Sequence, residues 1–226
     1  MYAIIGAMQE EVDALKSLMS EIEEIKIRHV HFTKGILSNK EVVLMLSGVA
    51  KVNAAISTTL LFENFDIEGV INIGTAGGLR AEENELDVVV STKVAHHDLI
   101  VPSWPLGFDQ DKTAYQAEQR YIDLLKDIIE ESKDRVWIGP IASGDIFVCE
   151  DAQVQQILKN FPEAYCAEME AAAVAQVCAI YGKPFVVIRS LSDIAVKQGN
   201  RYSFEEYLKQ ASVRSATWCK LFLERV

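Results

Sequence analysis

Residues 165–195 read YCAEMEAAAVAQVCAIYGKPFVVIRSLSDIA, and the succession of patterns in this stretch decides the fold. A short apolar segment hands over at Glu168-Met169-Glu170 to an alanine-rich helix. A second apolar run, Phe185 to Leu191, then ends in a polar turn that carries Asp193. Strand, helix and strand in succession point to an α/β sheet. In such sheets ligands bind beyond the carboxyl ends of the strands, where loops leave and side chains face a crevice. Glu168, Glu170, Arg189 and Asp193 all stand at such joints, so together they read as one site. Taken singly, each acid has a blander explanation: carboxylates sit well in the first turn of a helix, against the positive end of its dipole.

The whole chain has 226 residues, half of them hydrophobic and 24% charged, which suits one domain spanning residues 1–226 with a sizeable core. A formal net charge of −11 argues against nucleic acid or an anionic membrane as partner, because phosphate binding needs a basic face. No apolar run approaches the ~18 residues of a membrane span, and the chain opens directly into a strand without a basic-then-apolar leader, so a cytoplasmic location is expected. Cys149, Cys166, Cys178 and Cys219 are scattered without a CxxC pair and read as reduced, mostly core-filling residues.

Along the chain, Tyr2 to Ile5 is a short strand. A helix from Met8 follows, with Val12, Leu15, Leu18 and Met19 on one face and Glu10 and Glu11 in its first turn. Strands are expected at Ile25 to Thr33 and Glu41 to Leu46, around turn residues Gly35 and Ser38-Asn39. His29 and His31 alternate on the first of these, but no acid or cysteine completes a metal set. Ala50 to Phe65 is a helix with Val52, Ala55, Ile56, Thr59 and Leu60 inward. The buried strand Gly69 to Ile73 runs into Gly74-Thr75-Ala76-Gly77-Gly78, read as a turn that lets a ligand approach the backbone. Its spacing is neither GxGxxG nor a Walker motif, which leaves phosphate, sugar, water or a plain tight turn open. Leu86 to Val94 is a strand, and His97-Asp98 a structural pair ahead of the apolar loop Pro102 to Gly107. A helix is expected at Gln116 to Glu131 and a strand at Arg135 to Ile141, and Phe147 stands just past that strand's end. Asp151 caps a helix to about Asn160, and Ser203 to Val226 is the terminal helix. The fold is therefore α/β with a largely parallel or mixed central sheet.

Five segments recur in order in one known family: Ile5 to Glu11, Asn72 to Leu79, Ser143-Gly144-Asp145 with Phe147, Ala167 to Ala171, and Ser190 to Asp193. Over essentially its whole length the chain resembles the 5′-methylthioadenosine/S-adenosylhomocysteine nucleosidases of the purine nucleoside phosphorylase-like superfamily. That resemblance implies a three-layer αβα domain with a central mixed β-sheet. It also implies irreversible hydrolysis of the N-glycosidic bond of 5′-thio-substituted adenosines, giving adenine and a thioribose. An adenine nucleoside is then the small-molecule substrate, a homodimer the expected assembly, and no metal or other cofactor is called for.

The resemblance also distributes roles. Asp193 becomes the general acid that delivers a proton to adenine N7, steadied by Ser192, and burial beside other carboxylates would suit it to the task. Glu11 becomes the base that draws a proton from water, with Thr75 and Arg189 holding that water and its carboxylate. Glu170 binds the ribose hydroxyls and favours the cationic transition state, with Met169 packed on the sugar. Phe147 stacks on adenine while backbone groups of Val148 read its edge, and Ala7 and Gly77 complete the substrate contacts. The 5′-alkylthio group falls to Met8, Val49, Val101, Trp104, Leu106 and Phe204, partly across the dimer interface.

The chain departs from the family pattern in several places. Thr75 replaces serine, keeping the hydroxyl. Gly48-Val49-Ala50-Lys51 replaces glycine-isoleucine-glycine-lysine. Leu86 stands where glycine is common, so its backbone is expected to avoid positive φ. The loop after Asp98 is shorter than usual, and Val196 stands where an acid is common; both bear on 5′ specificity. Three other readings compete. A phosphate-dependent nucleoside phosphorylase would need cations converging on phosphate, where this chain offers Glu10, Glu11 and Thr75. An aminodeoxyfutalosine nucleosidase would share the chemistry, and a non-enzymatic adenosine-binding module would leave the acids as bystanders.

Overall fold

Strands β5 (Gly69–Gly78) and β10 (Phe185–Ile194) lie side by side in parallel at the centre of the protein, in a computed structural model that describes residues 1–109, 113–194 and 204–226, the side chains of 204–206 excepted. Their first halves are apolar apart from Asn72 (Val70–Ile73 and Phe185–Ile188) and buried, as expected of parallel strands covered on both faces. Around them the chain runs β1 (Tyr2–Gly6), α1 (Gln9–Lys16), β2 (Ser20–Ile27), β3 (Val30–Leu37), β4 (Lys40–Leu46) and α2 (Lys51–Asn64) before β5. After it come β6 (Val88–His96), β7 (Ala114–Gln116), α3 (Gln119–Glu131), β8 (Val136–Ser143), α4 (Asp151–Asn160), β9 (Cys166–Glu168) and α5 (Ala171–Ile180), then β10 and α6 (Phe204–Arg225).

The sheet is mixed. β1 pairs in parallel with β4 and β5, while β2, β3 and β4 form an antiparallel meander at one side. On the other side β5, β10, β6, β8 and β9 pair in a closed cycle. Helices α1 and α3 both pack on α6 in one layer, and α2 packs on α5 in the other, giving the three-layer αβα arrangement. The core runs through Ile4, Val43, Ile71, Val89, Ile188 and Phe222, all fully buried. No helix of the described residues is long and apolar enough to cross a membrane.

Several elements differ from the pattern-based expectation. The span Ile25–Thr33 is two strands, broken at Arg28, whose φ of 59° makes a hairpin turn without glycine or asparagine. His29 is therefore a turn residue, while Gly35 lies inside β3 rather than at a turn. The Ser38-Asn39 turn is present, with φ of 53° and 61°, the pairing that suits a two-residue hairpin loop. Helix α1 stops at Lys16, so Leu18 lies beyond it and is exposed. Helix α3 starts at Gln119, because Ala114–Gln116 is an edge strand. Helix α4 is capped by Glu150 rather than Asp151: Gln153 reaches back to accept the Cys149 and Glu150 N–H groups.

Helix α2 buries a different face from the one its large apolar residues mark. Ala54, Ser57, Thr58 and Leu61 face inward, while Val52 is 67% exposed and Ile56 is also exposed. Small inward residues let the helix sit close against α5, itself built on alanines, and this outweighs the burial of two larger side chains there. The run Gly74–Gly78 is likewise not a turn but the continuation of β5. Its glycines make room: a Cβ at Gly74 would lie 3.2 Å from the Arg189 guanidinium, and one at Gly78 would lie 2.6 Å from the Glu83 carboxylate. Leu86 adopts φ 68°, contrary to expectation; its N–H bonds Leu191 O (2.8 Å) and its carbonyl accepts from Arg214 (2.9 Å), so tertiary bonds override the side-chain preference.

Candidate active site

The carboxyl ends of β1, β5, β9 and β10 and the loops after β4 and β8 meet around a cleft of about 200 Å³. Strand pairing explains why these residues converge. Along β10, Arg189 stands beside Gly74 and Asp193 beside Gly77, and Gly77 in turn stands beside Ala167 of β9. A register shift between Leu191 and Asp193 turns the end of β10, and Asp193 lines the cleft half-buried. Its Oδ1 accepts a hydrogen bond from the Ser192 hydroxyl at 2.5 Å.

Glu11 also lines the cleft, buried in the first turn of α1, while its neighbour Glu10 is exposed. Glu11 Oε2 accepts the N–H groups of Ala7 (2.9 Å) and Met8 (3.1 Å), closing the turn between β1 and the helix. Burial raises its pKa; the Met8 and Ala7 N–H groups and the Arg189 charge only partly counter this. A carboxylate raised in this way is a stronger base when ionised.

Glu170 is buried where β9 passes into α5, and its Oε1 accepts the Ala50 N–H at 2.8 Å. Burial, with repulsion from Glu168, pushes its pKa up to about 7. Ala50 makes this contact at φ 76°, ψ 162°, a backbone conformation that is nearly restricted to glycine. Replacing Ala50 with glycine is therefore expected to raise the unfolding free energy by about 1 kcal/mol, the relieved strain exceeding the added unfolded-state entropy. Urea denaturation of the variant beside the unsubstituted protein checks this; an unchanged or lower midpoint contradicts it.

Arg189 lies behind the cleft rather than in its lining and is almost wholly buried. One guanidinium nitrogen bonds Glu168 Oε2 (2.6 Å) and Asn72 Oδ1 (2.7 Å); another bonds the Asn72 (3.2 Å) and Ile188 (3.0 Å) carbonyls. Glu168 is thus the ion-pair partner of Arg189. Its other oxygen accepts from the Ser143 hydroxyl, and Oε2 also accepts the Glu170 (3.1 Å) and Ala171 (2.9 Å) N–H groups. Both terminal guanidinium nitrogens of Arg189 and both Glu168 oxygens are hydrogen-bonded, Arg189 Nε alone lacking a partner among the described residues, and losing either member of the pair would strand a charge in the interior.

Three supporting residues escaped the sequence reading. Glu168 had no assigned role, while Asn72 and Ser143 were only letters in motifs. Asn72 spans two strands, donating to Ile5 O (2.9 Å) while it accepts from Arg189. Ser143 accepts the Ala172 N–H (2.8 Å) while donating to Glu168. The usable signal was Asn72, one polar side chain inside the buried run Val70–Ile73.

Of the residues singled out from sequence, Ala7, Met8, Glu11, Val49, Thr75, Gly77, Phe147, Val148, Met169, Glu170, Ser192 and Asp193 all line the cleft. Phe147 is 73% exposed at its mouth, which excludes a core role for that ring. Val101, Trp104 and Leu106 do not line it; Leu106 packs beside Phe108 and Phe161 under the loop. The side chain of Phe204, together with Ala195 and Val196, lies outside the described residues. The pair expected between His97 and Asp98 is replaced by one between Asp98 and Lys51. Among the described residues the lining carries four carboxylates (Glu11, Glu168, Glu170 and Asp193) and no lysine or arginine. Such a surface offers no cationic side chain to hold a phosphate.

A model of the phosphorylase superfamily matches residues 1–226. A 5′-methylthioadenosine/S-adenosylhomocysteine nucleosidase from Bacillus pumilus is 43% identical over 217 residues, covering 94% of each chain. The crystal structure of such a nucleosidase from Neisseria meningitidis, in complex with methylthio-immucillin-A, superposes with a TM-score of 0.89 at 35% identity. It covers 100% of this chain and 99% of that one. A mutant of the Helicobacter pylori nucleosidase with 5′-methylthioadenosine in its active site gives a TM-score of 0.91 at 31% identity, covering 100% and 98%.

Proposed function

Since the chain belongs to the 5′-methylthioadenosine/S-adenosylhomocysteine nucleosidases of the phosphorylase superfamily, we propose that Asp193 and Glu11 carry out its chemistry from opposite sides of one glycosidic bond. The enzyme hydrolyses the N-glycosidic bond of these two nucleosides. The observation that best supports the residue assignment is the cleft lining itself, with Glu11, Glu170 and Asp193 together and no cation among the described residues.

In this reading Asp193 gives its proton to adenine N7 as the C1′–N9 bond breaks, and the bonding pair leaves with the base. Phe147 stacks on the adenine ring and holds it in reach. Positive charge grows on the ribose, where Glu170 accepts hydrogen bonds from the sugar hydroxyls and stabilises the cation. Water then attacks C1′ and loses its proton to Glu11, assisted by the Thr75 hydroxyl and the field of Arg189. One turnover moves one proton from Asp193 to adenine and one from water to Glu11, and exchange with solvent returns a proton to Asp193 and removes the one on Glu11. Both recorded bonds to Glu11 fall on Oε2, which leaves Oε1 as the oxygen we assign to the water.

The assay incubates methylthioadenosine with and without inorganic phosphate. Adenine and free methylthioribose should form at the same rate in both. A sugar 1-phosphate, or a rate that needs phosphate, would refute the reading. The pH profile adds a second prediction. Glu170 has to be an anion to hold the sugar, and its pKa near 7 means that this anion is lost as pH falls. Accordingly kcat/KM should drop on the acid side with an apparent pKa near 7, and Glu170→Gln should flatten that limb. Stability moves the other way: the folded state binds the Glu170 proton more tightly than the unfolded chain does. Its contribution is full below the ordinary carboxylate range and is lost as pH rises through about 7.

A homodimer completes the reading. Val49, Ile146 and Phe147 expose apolar surface at the cleft, and Val52, Ile56 and Ile100 are exposed as well; apolar surface of this kind is usually covered by a partner. Covering it by a second copy would bring Val101, Trp104 and Leu106 to the partner's 5′-alkylthio pocket; sedimentation velocity tests the assembly. We read residues 1–226 as one domain and place the protein in the cytoplasm, where Cys166, Cys178 and Cys219, buried and unpaired, would stay reduced.

A further inference from the structure

One cluster of charges beside the cleft has no part in the chemistry above. Lys51, the first residue of α2, pairs through Nζ with Asp98 Oδ1 at 2.5 Å, and the two side chains are only 18% and 19% exposed. The Lys51 N–H donates to Asp145 Oδ1 (2.8 Å), and the Asp145 N–H donates to Asp98 Oδ2 (2.8 Å). Three segments are thereby tied in a ring: the start of α2, the chain after β6, and the loop after β8. Each also carries part of the site. Ala50, next to Lys51, gives its N–H to Glu170. Phe147 follows Asp145 by two residues, and Asp98 begins the loop that leads to Val101 and Trp104. Burial works against the Asp98 anion, yet the Lys51 ammonium and the Asp145 N–H together hold its carboxyl below the usual range.

We propose that Lys51, Asp98 and Asp145 act as a positioning clamp that sets the sugar-binding Glu170 and the adenine-stacking Phe147 loop at a fixed separation. The proposal rests on the roles given to Glu170 and Phe147 above. None of the three clamp residues lines the cleft, so they act through others. Charge-assisted hydrogen bonds between loops are worth more than neutral ones and hold geometry. The clamp fixes the two ends of the nucleoside, so its loss should weaken substrate binding more than the proton transfers. Glu11 and Asp193 are held by other elements.

The test uses Asp98→Asn, which keeps the shape but removes the anion, and Lys51→Met, which keeps the stem but removes the cation; Lys51→Arg is the conservative control. KM for methylthioadenosine should rise about 10-fold in the first two with kcat changed less than about 3-fold, a split that marks the loss of binding contacts made equally in the ground and transition states. Lys51→Arg should recover KM to within about 3-fold, and the double variant Asp98→Asn/Lys51→Met should be no worse than either single one, as for two members of one unit. Melting temperatures are recorded on the same samples. An unchanged KM in both single variants overturns the clamp. So does a loss of activity that follows the unfolded fraction alone, with Lys51→Arg as impaired as Lys51→Met. Asp193→Asn, measured in parallel, separates the two claims. If it is crippled while Asp98→Asn behaves normally, only the clamp fails; if it turns over normally, the site assignment itself fails.

Discussion

Asp193→Asn should lower kcat for methylthioadenosine by ~100- to 10,000-fold, the range typical for loss of a positioned general acid. Adenine is a poor leaving group as an anion, so most of the barrier lies in placing a proton on it as the C1′–N9 bond lengthens. Asparagine preserves the size of Asp193 and can still accept the Ser192 hydrogen bond, but it has no proton of that acidity to give. KM should change little, because the amide can still donate to N7 in the ground state. Quenched assays of adenine release at saturating substrate provide the check, and a kcat within about 3-fold of the unsubstituted enzyme would remove Asp193 from its role.

Glu11→Gln should fall in the same ~100- to 10,000-fold range, for a different reason. The Ala7 and Met8 N–H groups oblige the amide oxygen to take the place of Oε2. The NH₂ group must then point where Oε1 stood, a donor facing a water that needs an acceptor. The variant should keep the turn between β1 and α1, bind substrate with a near-normal KM, and lack the step that deprotonates water. Raising the pH should not restore it. Turnover and substrate affinity measured separately check this; a KM effect larger than the kcat effect would mean that Glu11 serves binding rather than water activation.

That Glu168, Glu170 and Asp193 gather in one place was legible in the sequence because they stand where strands end, and a strand end in an α/β sheet is recognisable from hydrophobic period; Glu11, in the first turn of α1, was picked out only by the family resemblance. What was hidden depended on residues far apart in sequence. Glu168 is accounted for by Arg189, 21 positions later, and Arg189 fits only because Gly74 on another strand has no side chain. The glycine run of β5 looked like a turn since glycine has no preference of its own; the bulky groups opposite it decide that it stays extended. Helix α2 misled through the same kind of cause: Ala54, Ser57 and Thr58 are weak markers of burial, yet small residues are what close packing on α5 needs. The Arg28 turn and the positive φ values of Ala50 and Leu86 carry no glycine to announce them. The proposed 5′ pocket was the least legible part, for Val101, Trp104 and Leu106, assigned to it from the resemblance, do not line this chain's own cleft.

The central claim is a division of labour, with Asp193 acting on the leaving base and Glu11 on the water. The p-nitrophenyl O-glycoside of 5-methylthioribose, whose p-nitrophenolate departs without a proton, separates the two most directly. On that substrate Asp193→Asn should recover to within about 10-fold of the unsubstituted enzyme, since the step it fails to catalyse is no longer needed, while Glu11→Gln stays slow. Equal impairment of both variants on the activated substrate, or rescue of Glu11→Gln in place of Asp193→Asn, would contradict the account.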